Sequence, residues 1–127
     1  RLGLEPPEPI MLKPTVDGAF EDMKRLIKGG EYVPHGAAIA DNDTVAIGAI
    51  KAIREAGYSI PEDISIVGFD DIPQADWQPY QLTTVQQNTA LLAHHAVDLL
   101  MTRIARFSLP SRHREVPVKL IIRHSAK

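Results

Sequence analysis

The stretch Glu55-Ala56-Gly57-Tyr58-Ser59-Ile60-Pro61-Glu62-Asp63-Ile64-Ser65-Ile66-Val67-Gly68-Phe69-Asp70-Asp71 decides the fold. It reads as a helix end, a tight connection, a buried strand and two carboxylates at the strand's exit. Gly57 suits a helix terminus, because glycine alone turns left-handed there without steric cost. Pro61 forbids renewed helix just before the strand. Ile64, Ile66, Val67 and Phe69 form a short apolar run rich in β-formers, as expected of a strand covered on both faces. In an open α/β sheet, ligands sit just outside the carboxyl ends of the strands. Asp70 and Asp71 at that point are therefore candidate binding groups.

Upstream, Pro6, Pro7, Pro9 and Pro14 surround Ile10-Met11-Leu12, which reads as a short strand between loops. Thr15 or Asp17 can cap a helix running to about Lys28, where Gly29-Gly30 stop it. Val16, Phe20, Met23 and Ile27 fall on one face of that helix. Ala37–Ala40 reads as a buried strand, followed by Asp41-Asn42-Asp43. Asp43 is a natural cap for a helix over Thr44–Ala56. The apolar residues of this helix extend too far round for one face, so a second surface is expected to meet a neighbouring subunit.

Downstream, the loop from Asp70 to Gln81 holds Trp77, and Leu82–Val85 is a further strand. Asn88 to Ala105 is a long helix with Ala93, Val97, Leu100 and Ile104 on one face. Val116–Arg123 is a last strand, with Pro117 near its start. Strand, helix, strand, helix, strand in that order predicts an α/β domain with a mostly parallel sheet flanked by helices.

Bulk properties narrow the function. The 127 residues suffice for one domain, with 44% hydrophobic and 24% charged residues. A net charge of −2 gives no footprint for nucleic acid or an anionic membrane. The chain has no cysteine, hence no disulfide framework and no thiolate chemistry. No apolar run approaches the ~20 residues of a membrane helix. The five histidines show no ligand spacing, and adjacent His94 and His95 point apart on their helix, so neither metal nor cofactor is expected. The acid pair lacks a nucleophile, metal set or third acid placed around it, which argues against catalysis. Arg106, Arg112 and Arg114 read as a solvated basic edge. The chain opens without a starting Met or signal core, so it reads as part of a longer protein.

Four segments resemble the LacI/GalR family of bacterial transcription regulators. Asp41-Asn42-Asp43-Thr44-Val45-Ala46-Ile47-Gly48-Ala49 is similar to its AND-x-x-A-x-G-A segment, and Gly57–Asp71 to its G-x-x-x-P-x-D-[IV]-S-[IV]-[IV]-G-[FY]-D segment. Leu82-Thr83-Thr84-Val85-Gln86-Gln87 matches L-T-T-[IV]-x-Q, and Leu120–Ser125 matches L-[IV]-x-R-x-S. The resemblance implies part of a periplasmic-binding-protein-like type I sensor with two α/β lobes around an effector cleft. Residues 1–81 would be most of the second lobe, 82–115 a crossover to the first lobe, and 116–127 the return strand and tail. The DNA-binding helix-turn-helix would lie outside this sequence, so DNA would be bound only through that missing part.

The resemblance also implies site residues. Asn42, Asp70 and Gln87 stand at effector-contacting positions, against the plainer readings of an Asx-turn, a turn acid and a solvated amide. Asp71 is expected to bond within its loop. Asp41 departs from the family, which has a small residue there. Ile47, Ile50, Ile53, Ala75 and Trp77 are expected at a homodimer interface. The implied function is sensing of a small polar effector, most often a sugar, in a cytoplasmic regulator that is not an enzyme. The alternative is a sugar-binding protein of a transport system with the same fold.

Overall fold

The computed structural model describes residues 8–127. Helix α1 spans Val16–Lys28, strand β1 Gly36–Ile39, helix α2 Asp43–Glu55 and strand β2 Ile64–Asp70. A short 3-10 turn at Pro73–Asp76 leads to β3 (Thr83–Gln87), α3 (Thr89–Ala105) and β4 (Val118–Ile121). The four strands form one sheet in the order β1-β2-β3-β4. β1, β2 and β3 run parallel, and β4 returns antiparallel to β3. This is the mostly parallel α/β sheet the sequence predicts.

The caps explain where the helices start. Thr15 accepts a hydrogen bond from the Gly18 N–H at 3.1 Å, and Gly29 closes α1. At α2 the cap is Asn42, not Asp43: its Oδ1 accepts from the Val45 N–H at 2.9 Å. The expected strand at Ile10–Leu12 is absent. Those residues have no regular structure, and Leu12 packs against the core instead of pairing with a neighbouring strand. Flanking Pro9 and Pro14 explain why, since each lacks the N–H a ladder needs.

The core lies between α2, α1 and one face of the sheet. Ile64, Ile66 and Gly68 alternate along β2 and are buried, while Val67 and Phe69 on its other face are half-exposed. Strand β2 is thus closed on one face within this chain, not both. Ile39 of β1, on the edge strand, is 84% exposed.

The second apolar surface of α2 meets α1. Ile47, Ile50 and Ile53, expected at a subunit interface, are 2%, 0% and 1% exposed within the single chain. Ala75 is also fully buried. These four are core residues of the single chain, and of the five expected contacts only Trp77 is exposed. The reason is close helix packing. Gly48 lets α1 approach so nearly that a methyl there would lie 2.7 Å from the Ala19 Cβ and strike the Val16 carbonyl. Lys24 of α1 and Glu55 of α2 add an ion pair at 2.6 Å.

Candidate effector site

The parallel strands deliver their carboxyl ends to one edge of the sheet. Ile39 of β1 pairs with Val67 of β2, so Asn42 and Asp70 each stand three residues beyond the same register pair. Asp70 pairs in turn with Gln86 of β3, one residue before Gln87. The three residues singled out in the sequence therefore leave the sheet at the same end.

Asp70 and Gln87 are in direct contact. The Gln87 Nε2 donates to Asp70 Oδ1 at 2.7 Å. Asn42 has a structural task as well, because its carbonyl oxygen caps α2. Its Nδ2 takes no part in that cap. A hollow of about 420 Å³ adjoins this edge, lined by Gln87, Asn88, Pro117, Val118 and Lys119 among others. It includes Gln87 but neither Asp70 nor Asn42.

The backbone at Asp70 and Asp71 is unusual. Their φ angles are 121° and 56°, both in the half of the map that side-chain-bearing residues avoid. Such conformations cost on the order of 1–3 kcal/mol each and persist where the surroundings hold them. Here the surroundings are a charge network. Asp71 Oδ1 accepts from Arg123 Nη2 at 2.8 Å, and Asp71 Oδ2 accepts from Gln86 Nε2 at 2.7 Å. Arg123 also donates to Asp76 Oδ1 at 3.1 Å and to the Leu82 carbonyl at 2.9 Å. The Arg123 and Asp71 side chains are 13% and 10% exposed, so this pair is shielded from most of the solvent. Contrary to expectation, Asp71 does not bond within its loop but reaches β3 and the residue two beyond β4.

Sequence reasoning missed Arg123 as a site residue and misread Asp43. Arg123 lies in the closing motif, and two adjacent acids are a signal that a cation is near. Asp43 is fully buried and is not the residue that caps α2. Ser125 is also buried: its hydroxyl donates to the Ile66 carbonyl at 2.6 Å and accepts from the Thr83 N–H at 2.8 Å, stitching β2 to β3.

Chemically, the end of β2 offers the Asp70 carboxylate bonded to the Gln87 amide. A fixed carboxylate accepts two hydrogen bonds at once, which suits neighbouring hydroxyls. Each such charge-assisted bond contributes roughly 1.5–3 kcal/mol when water is excluded. Among the described residues, no three His, Asp or Glu side chains converge as a metal set.

Residues 1–126 match the model of the periplasmic binding protein-like domain. A lactose operon repressor from Rhizobium radiobacter is 44% identical over 72% of this chain and 80% of its own length. The chain belongs to the LacI/GalR family. It spans about a third of the length of other curated transcription regulators that it matches. Among solved structures of this LacI type, a regulator from Enterococcus faecium with bound ribose is 30% identical. Its TM-score is 0.70, over 91% of this chain and 41% of that one. A lac repressor dimer bound to operator and an anti-inducer is 28% identical, with TM-score 0.73 over 88% of this chain and 38% of that one. These relatives are transcription regulators.

Proposed function

We propose that this chain is the effector-sensing part of a cytoplasmic LacI-type regulator, and that it binds a sugar at the edge formed by Asn42, Asp70 and Gln87. Asp70 accepts the ligand's hydroxyls, Gln87 orients the carboxylate, and the Asn42 amide donates. The observation that carries this is the convergence of all three residues at one end of the parallel sheet, with Asp70 bonded to Gln87. That edge is where ligands of open α/β sheets sit. Support for a sugar comes from the relative with bound ribose.

In this reading residues 1–81 belong to the second lobe, 82–115 cross towards the first, and 116–127 return. Ligand between the lobes shifts the balance of their arrangements, and so the spacing of DNA-reading heads outside this segment. The segment itself carries a net charge of −2, which gives no electrostatic footprint for DNA. The regulator works as a homodimer, in keeping with the dimeric relative. It acts by binding and not by turnover. Among the described residues no helix is long and apolar enough to cross a membrane.

Titration calorimetry of the intact protein against pentoses, hexoses and galactosides tests the reading. Asp70→Asn is expected to weaken binding about tenfold or more, equivalent to about 1.4 kcal/mol. Asp98→Asn, on exposed α3, leaves affinity unchanged. An unaltered dissociation constant for Asp70→Asn would defeat the assignment.

A further inference from the structure

We propose that Asp43 is the positioning residue of this site: its buried carboxylate holds the Asp70–Asp71 turn in the conformation that presents Asp70 to the effector. The proposal rests on the effector reading above and adds a residue to it.

Asp43 is 0% exposed and has no cation partner among the described residues. Burying a carboxylate without such a partner is unfavourable unless hydrogen bonds replace its water. Both oxygens are so bonded. Oδ1 accepts from the Thr84 hydroxyl at 2.5 Å, and Oδ2 accepts from the Ile72 N–H at 2.9 Å. Ile72 is the residue that follows the two positive-φ aspartates, so this bond fixes the far side of the turn. Thr84 lies in β3, paired with Gly68 of β2. One side chain thus ties the start of α2 to β3 and to the turn after β2.

Two further observations separate this from a helix cap. Asn42 already caps α2, which leaves Asp43 no capping task. Gly68 makes room for the carboxylate, since a Cβ there would collide with Asp43 Oδ1 and lie 2.9 Å from Leu82. The partial positive charge at the amino end of α2 favours the anion. Asn42 and Asp43 are adjacent, so the same anchor sets the helix start carrying Asn42 against the turn carrying Asp70.

Amide hydrogen exchange on the intact protein tests this without any ligand. In Asp43→Ala, exchange at Ile72 is expected to rise about tenfold or more relative to Ile66, whose N–H bonds the Ser125 carbonyl. Asp43→Asn keeps an acceptor for Ile72 and restores most of the protection. Thr84→Val leaves Ile72 protected. If Asp43→Ala does not fold, Asp43→Ser, too short to reach Ile72, gives the same rise. Equal acceleration at Ile72 and Ile66, or none at Ile72, would overturn the proposal. In calorimetry, Asp43→Ala also weakens the sugar that the unsubstituted protein binds by about tenfold, and Asp43→Asn recovers it. Failure of the unsubstituted protein to bind any sugar would break the effector reading, while the exchange result would still decide whether Asp43 holds the turn.

Discussion

Helices α2 and α3 are built from similar residues and live in opposite surroundings. In α2, nine of thirteen residues are buried. In α3, seventeen residues long and rich in Leu and Ala, none is. Val97, Leu100, Met101 and Ile104 are between 59% and 68% exposed. The difference is not in the helices but in what lies beside them. α2 finds α1 on one side and the sheet on the other, both supplied by this chain. α3 extends from the end of β3 with no such neighbour among the described residues. An apolar helix therefore marks a demand for cover without saying which segment meets it.

The most severe test of this contrast is a pair of truncations. Ile50→Ala, in the closed core, is expected to destabilise by about 2–5 kcal/mol in chemical denaturation. Ile104→Ala in the same 127-residue chain is expected to change stability by less than about 0.5 kcal/mol. Similar losses from both would mean that α3 is covered after all.

A subtler change probes why α2 is closed. Gly48→Ala places a methyl against the Val16 carbonyl and Ala19. Forcing the two helices apart is expected to cost about 1–3 kcal/mol, measured the same way. A neutral or stabilising result, as helix propensity alone would give, would show that α1 does not press on that face.

On α3 the expected readout is association rather than stability. Light scattering at high concentration is expected to show copies of this 127-residue chain associating, because the exposed face has no cover among the described residues. The double substitution Leu100→Lys, Ile104→Lys is expected to restore the monomer. A monodisperse monomer before substitution would show that the face tolerates water.

The smallest effect is electrostatic. The Lys24 ammonium bonded to Glu55 holds that carboxyl below its ordinary 4.5 and raises the lysine. A lowered carboxyl contributes stability above its unfolded value and loses it as pH falls through the folded one. Both groups are on the surface, so Glu55→Gln is expected to flatten the acid limb of the stability curve only slightly. An acid limb steepened by that change would reverse the sign.

Much of this contrast was legible in the residues alone, and the exceptions share a cause. Helix α1 follows from Thr15, Gly29 and the spacing of Val16, Phe20, Met23 and Ile27. Strand β2 follows from its apolar run. These are local signals. The neighbour of α2 is not local, and neither is the choice between Asn42 and Asp43 as its cap. Both are good cap residues. Thr84, 41 positions away, and Ile72, 29 positions away, draw Asp43 inward. Arg123 reaches Asp71 across 52 positions. The family motifs marked Asn42, Asp70 and Gln87, while the groups that hold them in place become visible only when distant segments meet.

The most direct test is a crystal structure of the intact protein with whichever sugar it binds in calorimetry. A sugar hydroxyl within about 3 Å of the Asp70 carboxylate, beside Gln87 and Asn42, is the predicted result. A sugar seated elsewhere, with Asp70 still bonded to Gln87 alone, would contradict the account.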